Sequence, residues 1–112
     1  MIVEKRRLEG MIVLDIEGVI KLGESAAFFV ETLERSLAQE EGHVLIDFSK
    51  ISQMDSTGLG ELIDYLGRFR EHNRQLVLIN PADRIRHLLQ SSGLQDFFTT
   101  FETTEAAVEA LK

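Results

Sequence analysis

Val44-Leu45-Ile46-Asp47-Phe48-Ser49-Lys50-Ile51-Ser52-Gln53-Met54-Asp55-Ser56-Thr57-Gly58-Leu59-Gly60 is the stretch that decides the fold. Val44 to Phe48 is short and nearly all apolar, the pattern of a strand buried on both faces, as parallel strands usually are. The chain then leaves through a loop, passes an Asp-Ser-Thr-Gly turn and enters an amphipathic helix at about Thr57. Leu59, Leu62, Ile63, Leu66 and Phe69 lie on one stripe of that helix, with Asn73 near its end. Leu76-Val77-Leu78-Ile79 repeats the buried-strand pattern. Two such runs joined by a helix predict neighbouring parallel strands at the centre of a sheet. Ser56 is expected at the start of the intervening helix with its hydroxyl exposed.

The flanking segments extend this unit. Ile2 to Leu8 and Met11 to Ile16 read as a hairpin around Glu9-Gly10, with Ile12, Leu14 and Ile16 on one face and Val13 and Asp15 on the other. After Gly18, a short extended piece from Val19 to Leu22 ends at Gly23. Ser25 opens a helix with Ala26, Phe29, Val30, Leu33 and Leu37 on one stripe, and Gly42 stops the run. Asp83 to Ser91 is a third helix, carrying Ile85, Leu88 and Leu89 and stopped by Gly93. Phe97 to Phe101 reads as a short strand or loop, and Thr104 to Leu111 as a closing helix. The expected architecture is one α/β domain over residues 1–112, a mixed sheet of four to five strands with about four helices.

Composition narrows the class. The 112 residues are 44% hydrophobic and 28% charged, as in a folded soluble domain, and no apolar run approaches the ~20 residues that span a bilayer. Met-Ile-Val-Glu-Lys-Arg-Arg has its charges in the wrong order for a signal peptide, so a cytoplasmic location without membrane insertion is expected. Nineteen acids against twelve Lys and Arg give a net charge of −7, which disfavours direct nucleic-acid binding. Cysteine is absent, so disulfides, thiolate metal sites and a cysteine nucleophile are excluded.

The charge is uneven. Glu9 to Glu61 holds eleven acids and three bases, whereas Arg68, Arg70, Arg74, Arg84 and Arg86 outnumber Glu71 and Asp83 between Arg68 and His87. Two solvated helix faces of opposite sign would produce this pattern. So would a polarised surface that steers a protein partner.

Asp55 and Ser56 are both good N-cap types, because their side-chain oxygens can accept from free amides of the first helical turn. Gly58 and Gly60 are poor helix formers, and two of them in a first turn suggest close approach of another backbone or a partner surface. Catalytic motifs fit poorly. A nucleophile elbow needs Gly-x-Ser-x-Gly, but Met54 stands two before Ser56. An aspartic-protease loop would have glycine where Thr57 stands, and no phosphate-binding loop sequence occurs. His43, His72 and His87 have no obvious route to Ser56, and no cluster has metal-ligand spacing. Neither metal nor cofactor is expected, and a small serine hydrolase is a distant alternative.

Val44 to Phe48 followed by Met54-Asp55-Ser56-Thr57-Gly58-Leu59-Gly60 resembles the signature of STAS domains, specifically bacterial anti-sigma factor antagonists. The resemblance runs over almost the whole chain, through Gly18 to Ala26, Gln75 to Ile79, Ser92-Gly93-Leu94-Gln95-Asp96-Phe97-Phe98 and the terminal acidic helix. It implies a non-enzymatic switch. The serine at Ser56 would be phosphorylated by a partner that is both anti-sigma factor and serine kinase, with Thr57 as the alternative acceptor. The unphosphorylated form would bind that kinase and free the sigma factor, and a serine phosphatase would restore it. Asp55, Ser56, Thr57, Gly58 and Leu59 would form the contact surface, with a second patch from Lys21 to Ser25. Family members commonly carry an acid where Lys21 stands, and such a charge reversal bears on partner choice. A STAS subunit of another assembly, transporter-associated or a signalling scaffold, is the alternative within the same family.

Overall fold

The computed structural model describes residues 1–112. Glu9 and Gly10, at φ 49° and 79°, make the two-residue turn of a hairpin between β1 (Ile2–Leu8) and β2 (Met11–Ile20). Positive φ at both turn positions matches the twist of the flanking strands. There follow α1 (Glu24–Gln39), β3 (Val44–Met54), α2 (Ser56–Glu71), β4 (Leu76–Ile79), α3 (Asp83–Ser91), β5 (Thr100–Phe101) and α4 (Thr104–Leu111). The sheet order is β1-β2-β3-β4-β5. β1 is antiparallel to β2, and every later neighbour is parallel. The expected mixed sheet is therefore present, with five strands and four helices, and β3 and β4 are neighbours.

Two boundaries depart from the sequence reading. The segments around Gly18 form one strand, because β2 continues through register shifts between Asp15 and Glu17 and between Gly18 and Val19. Ser49 to Met54 is strand rather than loop. Lys50, Ile51, Gln53 and Met54 pair with Glu17, Gly18, Val19 and Ile20, and Ile51 is fully buried. Apolar residues recur there only at Phe48, Ile51 and Met54, with two polar residues between each, so the alternation that marks a half-buried strand is missing. At its other end the first helix stops at Gln39, before Gly42.

The sheet divides two cores. Ile12, Leu14, Ile16, Val44, Ile46, Phe48, Leu76 and Leu78 face α1, α2 and α3, which contribute Phe29, Leu33, Leu62, Leu66, Phe69, Ile85 and Leu89. On the reverse, Met11, Val13, Leu45, Val77 and Ile79 pack on Ala107 and Val108 of α4. Truncating a fully buried residue such as Ile46 removes contacts on a layer that cannot collapse, a loss of about 2–5 kcal/mol.

Long-range polar contacts fix the helices. Tyr65 Oη donates to Glu34 Oε2 at 2.7 Å, joining α2 to α1; burial and this carboxylate push the phenol up to about 12. Arg74 donates to the carbonyls of Ser36, Leu37 and Gly42 at 3.0, 3.0 and 2.7 Å. It thereby satisfies the end of α1, whose last turn has no basic residue of its own. At the sheet edge, Lys5 and Arg7 pair with Glu40, and Arg6 with Asp15.

Candidate functional site

Met54 ends β3, and Asp55 turns the chain into α2 at extended dihedrals (φ −97°, ψ −177°). Of the two cap types in the sequence, Asp55 is the N-cap: its Oδ1 accepts from Gly58 N at 3.0 Å. Its other oxygen, Oδ2, accepts from Leu22 N at 2.9 Å. The Asp55 amide in turn donates to Ile20 O at 3.2 Å. One residue thus joins the end of β2, the turn after it and the start of α2. The Gly58 and Leu22 amides hold the Asp55 carboxyl below its ordinary value of 3.8.

Ser56 is the first residue of α2 and is exposed, and its hydroxyl makes no hydrogen bond within the domain. Thr57 is half-buried. Gly58 is buried because its α-carbon lies against β2: a Cβ there would stand 2.8 Å from Ile20 O and 2.8 Å from Ile20 Cγ2. This glycine serves close packing inside the domain. Leu59 joins the core at 7% exposure. Gly58 and Leu59 therefore lie beneath the surface that Asp55, Ser56 and Thr57 present. A Cβ at Gly60 would meet nothing within 4 Å, so that position is open to solvent.

The second patch belongs to the same surface. Ser25 Oγ accepts from Lys21 N at 2.9 Å and donates to Lys21 O at 3.1 Å, closing the turn between β2 and α1. Leu22, at the tip of that turn, is 78% exposed, and its amide is held by Asp55. Leu22 is the most exposed large apolar side chain of the chain, on a turn that Asp55 ties to the start of α2. The histidines lie elsewhere: His43 Nδ1 accepts from Gln75 N at the opposite end of the strands, and His72 ends α2. His87 lies on α3 in a groove with Lys21 and Arg84. That groove joins Lys21 to residues of α3 more than 60 positions away, and its traces in the sequence are Lys21 at a commonly acidic position and the block of positive charge from Arg68 to His87.

The arrangement can accept a phosphate. A phosphoserine adds about −1.5 to −2 charges. At the first turn of a helix it meets unpaired amides and the positive end of the dipole, so the fold can hold the anion while the surface gains negative charge.

The STAS domain model matches residues 3–107, and the chain belongs to the STAS domain family. It is similar to the anti-sigma-B factor antagonist of Staphylococcus aureus, 31% identical over 87 residues that cover 74% of this chain and 81% of that one. Among solved structures it resembles a Thermotoga maritima protein described as a candidate anti-sigma factor antagonist. That match has a TM-score of 0.88 at 16% identity and covers 97% of this chain and 93% of the other. It also resembles the Bacillus cell fate determinant SpoIIAA in its phosphorylated form, with a TM-score of 0.74 at 18% identity over 99% of this chain and all of that one. These structural likenesses establish a common fold.

Proposed function

We propose that this STAS domain is an anti-sigma factor antagonist, a regulatory binding module switched at Ser56. In the unphosphorylated form, Leu22, Asp55, Ser56 and Thr57 contact an anti-sigma factor that is also a serine kinase, and the sigma factor is freed. Phosphorylation of Ser56 by that kinase ends the contact, and a serine phosphatase reverses it. The cycle runs in the cytoplasm, in keeping with helices none of which is long and apolar enough to cross a membrane.

The observation that supports this most is the free, exposed hydroxyl of Ser56 on a helix terminus already capped by Asp55. The cap leaves the serine available for chemistry. Added negative charge at that point would act by repulsion, bulk and desolvation at the interface, a reversible means of ending binding. The Staphylococcus aureus relative supports the choice of partner class.

Intact mass of the protein expressed beside its cognate kinase, before and after phosphatase treatment, tests the reading. We expect loss of one phosphate, mapped by fragmentation to Ser56. A phosphate mapped only to Thr57 moves the acceptor by one residue and overturns the assignment of Ser56. No phosphate on either residue overturns the switch.

A further inference from the structure

Most cations of this chain are engaged within it. Lys5 and Arg7 pair with Glu40, Arg6 with Asp15, Arg35 with Glu31, Arg68 with Asp64 and Glu34, and Lys112 with Glu9 and Glu109. Arg74 binds three carbonyls, and Arg70 stacks 5.6 Å from the Phe97 ring centre. Lys21, Lys50, Arg84 and Arg86 have neither a carboxylate nor a carbonyl partner.

Two of these four, Lys21 and Arg84, line one groove together with His87. The groove runs between the end of β2 and α3, has a volume of about 470 Å³ and opens broadly to solvent. Gln53, Met54, Leu88 and Ser91 complete its walls. None of the chain's nineteen acidic residues lines it. A concave surface of one sign within a chain of net charge −7 concentrates a local potential opposite to that of the molecule.

We propose that this groove docks an acidic segment of the partner protein, its carboxylates on Lys21 and Arg84 and an apolar side chain against Met54 and Leu88. Charge complementarity selects the occupant, and the open shape fits an extended segment. The groove is continuous with the Ser56 surface, because Met54 precedes Asp55 and Lys21 precedes Leu22, whose amide Asp55 holds. The inference rests on the proposed switch for the identity of the partner and on the groove alone for its chemistry. Lys21 and Arg84 would set partner choice by admitting an acidic contact and rejecting a basic one.

The test is a titration of the isotopically labelled full chain, followed by amide NMR shifts. The probes are a blocked peptide of repeating Glu-Leu-Asp, a matching Lys-Leu-Lys peptide and inorganic phosphate. We expect saturable shifts at Lys21, Gln53, Arg84 and His87 with the acidic peptide only. A Lys21→Glu/Arg84→Glu variant, both positions being exposed, should melt like wild type and bind at least about tenfold more weakly. Absent or scattered shifts, equal affinity in the variant, or shifts reproduced by phosphate would each overturn the proposal. Phosphate mapping at Ser56 is read separately by mass. Loss of groove binding with Ser56 still phosphorylated therefore refutes this inference alone.

Discussion

Asp55 Oδ2 accepts the backbone N–H of Leu22 at 2.9 Å, across 33 positions of sequence. The same carboxylate caps α2 through Gly58, so the most exposed leucine and Ser56 share one support. Asp55→Ala should remove the cap and free the turn together. We expect a melting temperature lowered by a few degrees and faster hydrogen exchange at the Leu22 amide. Unchanged exchange at Leu22 would show that the turn is held by Ser25 alone.

The lowered titration of Asp55 gives the pH dependence a definite sign. Its carboxylate is favoured in the folded state, so its contribution is complete above 3.8 and is lost as pH falls through the depressed folded value. Asn at this position keeps a capping oxygen but no charge. The gap in melting temperature between wild type and Asp55→Asn should be constant above about pH 5 and narrow as pH falls below 3.8 through the depressed folded value. A gap that persists to the acid end would mean that the charge contributes nothing.

The two glycines of the first turn of α2 should answer alanine oppositely. Gly58→Ala places a Cβ against Ile20 O, a backbone atom that cannot swing away, and should cost about 1–3 kcal/mol. Gly60→Ala meets open space and should stabilise the helix by up to ~1 kcal/mol. Urea denaturation of both variants measures the difference.

Ser56 is not the cap, so neither Ser56→Ala nor Ser56→Asp should change stability by more than about 0.5 kcal/mol. Their binding should differ. Ser56→Ala should hold the kinase partner persistently. Ser56→Asp should weaken it in part, since aspartate has less charge and fewer acceptor oxygens than phosphoserine. Titration calorimetry decides; two folded variants that both bind like wild type would leave the turn with a purely structural role.

Arg74 closes the end of α1 from the strand side, donating to three carbonyls while lying 4.7 Å from the Phe69 ring centre. Arg74→Met keeps much of the stem but leaves those carbonyls without their donor. We expect a loss of about 2 kcal/mol or more, read by denaturant titration.

The parts of the fold that were legible in the sequence are those where every residue has one environment. Val44 to Phe48 and Leu76 to Ile79 are almost wholly buried, and their composition says so. Ser49 to Met54 hides its strand in the sequence, because Ser49, Lys50 and Ser52 face solvent while Ile51 does not. At the site, Asp55 and Ser56 were equivalent caps on local grounds. The extended dihedrals of Asp55 and its bonds to the Gly58 and Leu22 amides, the latter set by the parallel pairing of β2 with β3, distinguish them. The positive block from Arg68 to His87 divides likewise: Arg68, Arg70 and Arg74 have internal partners, whereas Arg84 and Arg86 do not.

The ion pairs along β1 bear on what the edges of this sheet offer to other chains. An edge strand offers a row of unpaired amides and carbonyls to any extended chain. Here one margin presents Lys5, Arg6 and Arg7, anchored in place by Glu40 and Asp15, while the other margin is the two-residue β5. Charge guards the long margin and brevity the short one. Strand addition, the route to both β-augmented complexes and fibrils, is thereby discouraged at each side, which leaves the ends of the strands as the open faces of the sheet.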